Sequence, residues 1–144
     1  MRLEKHLESL HEVMDEIGAA LNDSRGLSSH QRRLALMLSV GFCELVEIYF
    51  HKLQILKPGS RIKHDWFRQK RIKEKLEQQV TSPLSGLAGI DEIISLAVQL
   101  EESRDDLAYG SPVNEEEFIR SRIDLFLKMK KIIENRVGGI DEPK

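Results

Sequence analysis

The stretch LALMLSVGFCELVEIYF, Leu34–Phe50, decides the fold. Leu34, Leu38, Gly41, Phe42, Leu45 and Tyr49 recur at helical spacing, and Leu36, Val40, Cys43, Val46 and Phe50 add apolar groups on other faces. A helix this apolar around its circumference is contacted from several sides, so it belongs at the centre of a bundle. The pattern runs on through Leu53 and Leu56 until Pro58–Gly59, where proline removes a donor and glycine admits a turn.

Upstream, Leu3, Leu7, Leu10, Met14, Ile17 and Leu21 form one seam, which predicts a first helix over Leu3–Leu21. Asn22–Gly26 supplies turn chemistry, and Ser28 followed by Gln31 reads as a capping box that starts the second helix near Ser29. Downstream, Phe67, Ile72, Leu76 and Val80 predict a helix from about Lys63 to Val80 lying over the bundle with its Lys and Arg groups in water. Thr81–Pro83 breaks it, and Gly86 and Gly89 lead into a helix over Ile90–Tyr109 with Gly110 as its C-cap. Asn114 with Glu117, and Val113 with Phe118, read as a capping box and hydrophobic staple for a last helix to about Arg136.

The expectation is an all-α, antiparallel up-and-down bundle of four main helices plus a basic helix. A single domain spans 1–137, and 138–144 form a frayed tail. With one cysteine, Cys43, the chain has no intramolecular disulfide and no cysteine-based zinc site. No secretory leader or membrane span is read, so the expected setting is cytoplasmic with no membrane partner. P-loop, dinucleotide and zinc signatures are absent, and neither a metal nor another cofactor is expected.

Charge is divided unevenly. Between His51 and Lys75 nine basic residues face two acidic ones, a local +7 in a chain whose net charge is −2. Such a segment recruits a polyanion to one face. Lys63, His64, Arg68, Lys70 and Arg71 are the candidate nucleic-acid-binding residues, with Trp66 or Phe67 placed either to stack a base or to anchor the segment in the core.

The sharpest irregularity is Arg104. With Ala97 set at zero and about 100° per residue, Ile93 falls near −40°, Leu100 near −60° and Arg104 near −20°, inside the apolar stripe. A guanidinium stays charged, so it must meet a carboxylate such as Glu44 or Glu47, snorkel to a groove, cap carbonyls at the end of the bundle, or face a ligand anion. Asp105 and Tyr109 follow close behind. The lone Glu8-x-x-His11 pair lacks the second copy a di-iron bundle requires, and His51 follows Glu47 by one helical turn.

A helical hairpin, a basic connector, and a helix ending SRDDLAYGSPV (Ser103–Val113) together resemble the small prokaryotic HEPN proteins. Their motif is R-x4–6-H with a polar residue after the arginine. Arg104 matches the arginine and Asp105 the polar residue, while Tyr109 stands where the histidine belongs. The resemblance implies a homodimer whose two motifs meet in a cleft, with Arg104, Asp105 and Tyr109 as candidate catalytic residues. It also implies a metal-independent ribonuclease, in many members encoded beside a minimal nucleotidyltransferase as a toxin–antitoxin pair and modified on a tyrosine near the motif. An unperturbed phenol, with a pKa of ~10, is a poor base at neutral pH, so the expectation is an RNA- or nucleotide-binding protein or a degenerate ribonuclease. The alternative is a non-catalytic helical module that docks a separately encoded partner such as that nucleotidyltransferase.

Overall fold

The computed structural model describes residues 2–111 and 116–140. Six α-helices are present among them: α1 (Leu3–Leu21), α2 (Gln31–Lys52), α3 (Ile72–Glu77), α4 (Ile90–Glu102), α5 (Arg104–Tyr109) and α6 (Glu116–Val137). Short 3-10 turns occupy Leu27–His30, His64–Arg68 and Leu84–Gly86. No strand occurs among the described residues, where Leu56 and Val80 form one isolated antiparallel bridge. The chain is an all-α helical bundle.

Cross-helix pairs fix the directions. His6 meets Glu44 while Glu16 meets His30, so α1 runs antiparallel to α2. Tyr49 reaches Ala88 and Arg104 reaches Ser39, so the α4–α5 arm runs antiparallel to α2 as well. Arg122 bonds Gln99 and Lys128 pairs with Glu92, which sets α6 antiparallel to α4. The four long helices therefore alternate up and down, with α2 at the centre as its all-round apolar pattern requires. The helical stretch Leu27–Lys52 is long and apolar enough to cross a membrane, but 72% of its apolar 18-residue window is buried inside the fold, so its hydropathy is accounted for by the core it builds. Gly41 lets three helices converge: a Cβ there would lie 2.6 Å from the Phe126 ring and 3.0 Å from Val13.

Several local expectations are corrected. The buried face of α1 is His6, Leu10, Val13, Ile17 and Ala20, a stripe rotated from the expected seam, and Leu21 is exposed. Ser28 and Gln31 form no capping box. The Ser28 hydroxyl donates to Glu116, and the Gln31 amide donates to the Leu107 and Ser111 carbonyls, so both serve tertiary ties. The central helix stops at Lys52, before Pro58, because Gln54 takes a left-handed conformation (φ 60°) and the chain turns to pair Lys57 and Thr81 with the opposing strand-like segments.

The expected basic helix is broken into the His64–Arg68 turn and α3 by extended backbone at Gln69. Phe67 and Leu76 are nine residues apart, which on one continuous helix places them about 180° apart. Both are buried here, Phe67 edge-on against Phe42 with ring centroids 5.2 Å apart, so the helix must break for one core to receive both.

The helix expected over Ile90–Tyr109 is interrupted at Ser103, whose hydroxyl bonds back to the Leu100 carbonyl. Gly110 is not a left-handed cap. Its backbone is extended, and glycine is needed because a Cβ would strike the Asp106 carbonyl at 2.4 Å. Phe118 is largely exposed beneath the Arg122 guanidinium, while Val113 and Asn114 lie outside the described residues. The tail from 138 is not frayed at its start: Ile140 is buried, and its N–H donates to Glu134.

Candidate functional site

Arg104 begins α5, immediately after the interruption at Ser103, and this break carries its side chain back against α2. Its Nε donates to Ser39 Oγ at 3.0 Å, and a terminal nitrogen pairs with Asp105 at 2.7 Å. Neither Glu44 nor Glu47 receives it: Glu44 pairs with His6 Nδ1 at 2.7 Å, and Glu47 accepts from the Ile62 N–H at 3.2 Å with His6 Nε2 3.6 Å away. Arg104 also lines an open groove of about 430 Å³ between α2 and the Arg61–Asp65 segment. Leu36 and Val40, 40% and 44% exposed, form an apolar wall there, and the charged lining is mixed, with Arg61, Lys63 and His64 beside Glu44, Glu47 and Asp65.

Behind Arg104 lies a hub that the sequence reading overlooked. Glu101, on the last turn of α4, is buried, and its carboxylate accepts from His64 Nδ1 at 3.0 Å and from Arg68 Nε at 2.5 Å. The same Arg68 reaches outward to Asp105 at 3.0 Å. The result is one chain of polar contacts, His64–Glu101–Arg68–Asp105–Arg104, ending on Ser39 and alternating in charge from Glu101 to Arg104. Glu101 raises Arg68's affinity for its proton, first through the hydrogen bond. Asp105 is drawn two ways. Desolvation pushes its carboxyl up, but the hydrogen bond from Arg104 and the charge and hydrogen bond of Arg68 together hold it below the usual carboxylate range.

The helical wheel that singled out Arg104 contained the signal for Glu101: four residues after Ala97 it falls near 40°, inside the same apolar stripe. Two charged residues of opposite sign in one stripe are a paired site more readily than two accidents.

The predicted residues separate into two groups. Arg104, Asp105, Arg68 and His64 are brought together. Tyr109 is not: it is 70% exposed at the far end of α5, five residues and about 140° around the helix from Arg104. Lys63, Lys70 and Arg71 are exposed, with Arg71 facing Glu74. Lys73 pairs with Asp91 and Lys75 covers the Trp66 ring at 5.6 Å, so much of the basic segment is tied within the fold. Phe67 is its anchor in the core, and Trp66 is half-buried.

Beneath the groove, the His6 imidazole is buried between Glu44 and Glu47 and meets His51 edge-on, with ring centroids 6.0 Å apart. Burial raises the Glu47 carboxyl, against the Ile62 N–H and the His6 charge, which hold it down. The neighbouring Cys43 thiol is pushed up by burial and then by Glu47, leaving it without thiolate character. Among the described residues no group of three or more His, Cys, Asp and Glu side chains is arranged to hold a metal ion, and Glu8 and His11 lie exposed on α1.

Comparison with protein-family models, curated proteins and solved structures finds no match to this chain. The functional reading therefore rests on the site itself.

Proposed function

We propose that this chain is a HEPN-like RNA- or nucleotide-binding protein that acts as a homodimer, with Arg104 as the principal phosphate contact. The observation that carries the reading is the placement of Arg104. A guanidinium anchored on Ser39 opens onto a groove with an apolar wall, where Arg61 and Lys63 stand beside Glu44, Glu47 and Asp65, so Arg104 is the cation on the α2 side. Cations position phosphates while apolar surface receives a base, which is the division of labour in single-strand recognition. The homodimer is what the resemblance implies, and Leu36 and Val40 are reserved for the ligand in the groove. Tyr109 stands apart from this constellation, which favours binding over efficient cleavage.

A filter-binding titration against single-stranded RNA at low and moderate salt tests the proposal. Salt-sensitive binding is expected, weakened about tenfold by Arg104→Ala through loss of a charge-assisted contact. Absence of binding at low salt overturns it.

A second reading is favoured by one observation, the exposure of Tyr109. An accessible phenol beside the motif suits modification by a separately encoded nucleotidyltransferase. Co-expression with such an enzyme from a neighbouring reading frame is expected to add a nucleotide mass that Tyr109→Phe abolishes.

A further inference from the structure

Asp105 occupies an unusual position for an exposed carboxylate. One of its oxygens accepts from Arg104 at 2.7 Å and the other accepts from Arg68 at 3.0 Å, so the carboxylate bridges two guanidiniums that come from different parts of the chain. The arginines are held from behind: Arg104 by Ser39, and Arg68 by Glu101, whose side chain is only 1% exposed. Asp105 itself has no such backing and is 51% exposed. The fixed parts are the two donors, and the movable part is the anion between them.

We propose that the Arg68–Arg104 pair is an oxyanion site for a phosphodiester of single-stranded RNA, and that Asp105 is its built-in stand-in, displaced when the ligand binds. Each arginine offers terminal N–H groups in the planar fork that suits carboxylate and phosphate oxygens alike. Charge selects the ligand. Arg68 and Arg104 balance Glu101 and Asp105, so moving Asp105 into water leaves one uncompensated positive charge facing outward. A phosphodiester, with one negative charge, restores neutrality. A terminal phosphate, approaching two, would leave excess negative charge beside the buried Glu101. Position supports the same assignment, since Arg104 lines the groove and His64, the other partner of Glu101, stands on its rim.

The stand-in has a measurable consequence. A site whose competent form must first release an internal ligand binds more weakly by the fraction of time it is open. Two half-exposed ion pairs of ordinary strength close it by about three- to tenfold.

This inference rests on the RNA-binding reading, and the experiment separates the two. A fluorescein-labelled single-stranded RNA is titrated by anisotropy at several salt concentrations, with and without a 5′ phosphate. Wild type, Asp105→Asn, Asp105→Ala and each Asp105 variant combined with Arg68→Gln are compared, and the melting temperature of each is recorded. The expected result is binding about three- to tenfold tighter for both Asp105 variants, with a steeper salt dependence, and loss of that gain when Arg68 is also replaced. Melting temperatures of the Asp105 variants should fall by no more than a few degrees, about what the loss of two partly exposed ion pairs costs. If wild type binds RNA and the Asp105 variants bind no more tightly, the stand-in is overturned while the RNA-binding reading survives. A gain that persists without Arg68 overturns the two-arginine site. A gain confined to 5′-phosphorylated RNA overturns the phosphodiester assignment. If no protein binds RNA at any salt, both readings fail together.

Discussion

The His6, Glu44 and Glu47 side chains are 1%, 13% and 7% exposed, whereas Arg68 and Asp105, in the charge chain behind the groove, are 45% and 51% exposed. Both clusters lie against α2, and both join residues distant in sequence. They differ in what surrounds them. The first is buried between α1 and α2 at the floor of the groove, where Glu47 also accepts from the Ile62 N–H, so its charges answer mainly to one another. The second has Glu101 buried and Arg104 15% exposed, while His64, Arg68 and Asp105 open outward, so part of its charge is available to a ligand. Burial, more than residue type, separates a cluster that holds the fold from one that can exchange partners.

Removing the imidazole from the enclosed cluster gives the largest expected effect. His6→Ala leaves two poorly solvated carboxylates close together with only the Ile62 N–H as a donor to Glu47, and is expected to cost about 3 kcal/mol in urea unfolding. A loss comparable to that of an ordinary surface substitution would show that the cluster is solvated after all, and the contrast would collapse.

Acid offers a smaller and subtler test, because the carboxylates involved respond in opposite directions. Glu47 has its carboxyl raised by burial, so its folded form takes up a proton more readily than the unfolded chain and stability rises as the pH falls through that raised value. Asp105 and Glu116 are held low, so the stability they contribute is complete above their ordinary values of 3.8 and 4.5 and is lost as the pH falls through their folded values. A stability profile from neutral pH downward should therefore first rise and then fall. Glu47→Gln is expected to flatten the rise and leave the fall in place; an unchanged rise would assign it to another group.

How much of this was legible depends on whether one period sufficed. The range of α1 is as the sequence predicts, because a single amphipathic stripe runs its full length. Its rotation was not, since two seams of the same spacing compete and the buried one begins with a histidine, which hydrophobicity does not count. The basic segment failed for a geometric reason: Phe67 and Ile72–Val80 satisfy no common helical face, and reading them as one stripe concealed the break at Gln69. In the site, Arg104 was visible because a cation in an apolar stripe is conspicuous. Its partners were only partly so. Asp105 is adjacent in sequence, but Arg68 and Glu101 are joined by a tertiary contact over 33 residues that periodicity cannot supply. His64 was noticed for its basic neighbours, and Glu101 is what fixes it in place.

Glu116 at the start of α6 accepts from the Leu27 and Ser28 amides and from the Ser28 hydroxyl, clasping the turn between α1 and α2 across 88 to 89 residues of chain. A contact that closes so long a loop is expected to form after the α1–α2 hairpin and the α4–α6 pair have met, and so to contribute little to the folding transition state. Glu116→Gln should then speed unfolding and leave the folding rate nearly unchanged in stopped-flow kinetics, the clasp acting on the lifetime of the assembled bundle.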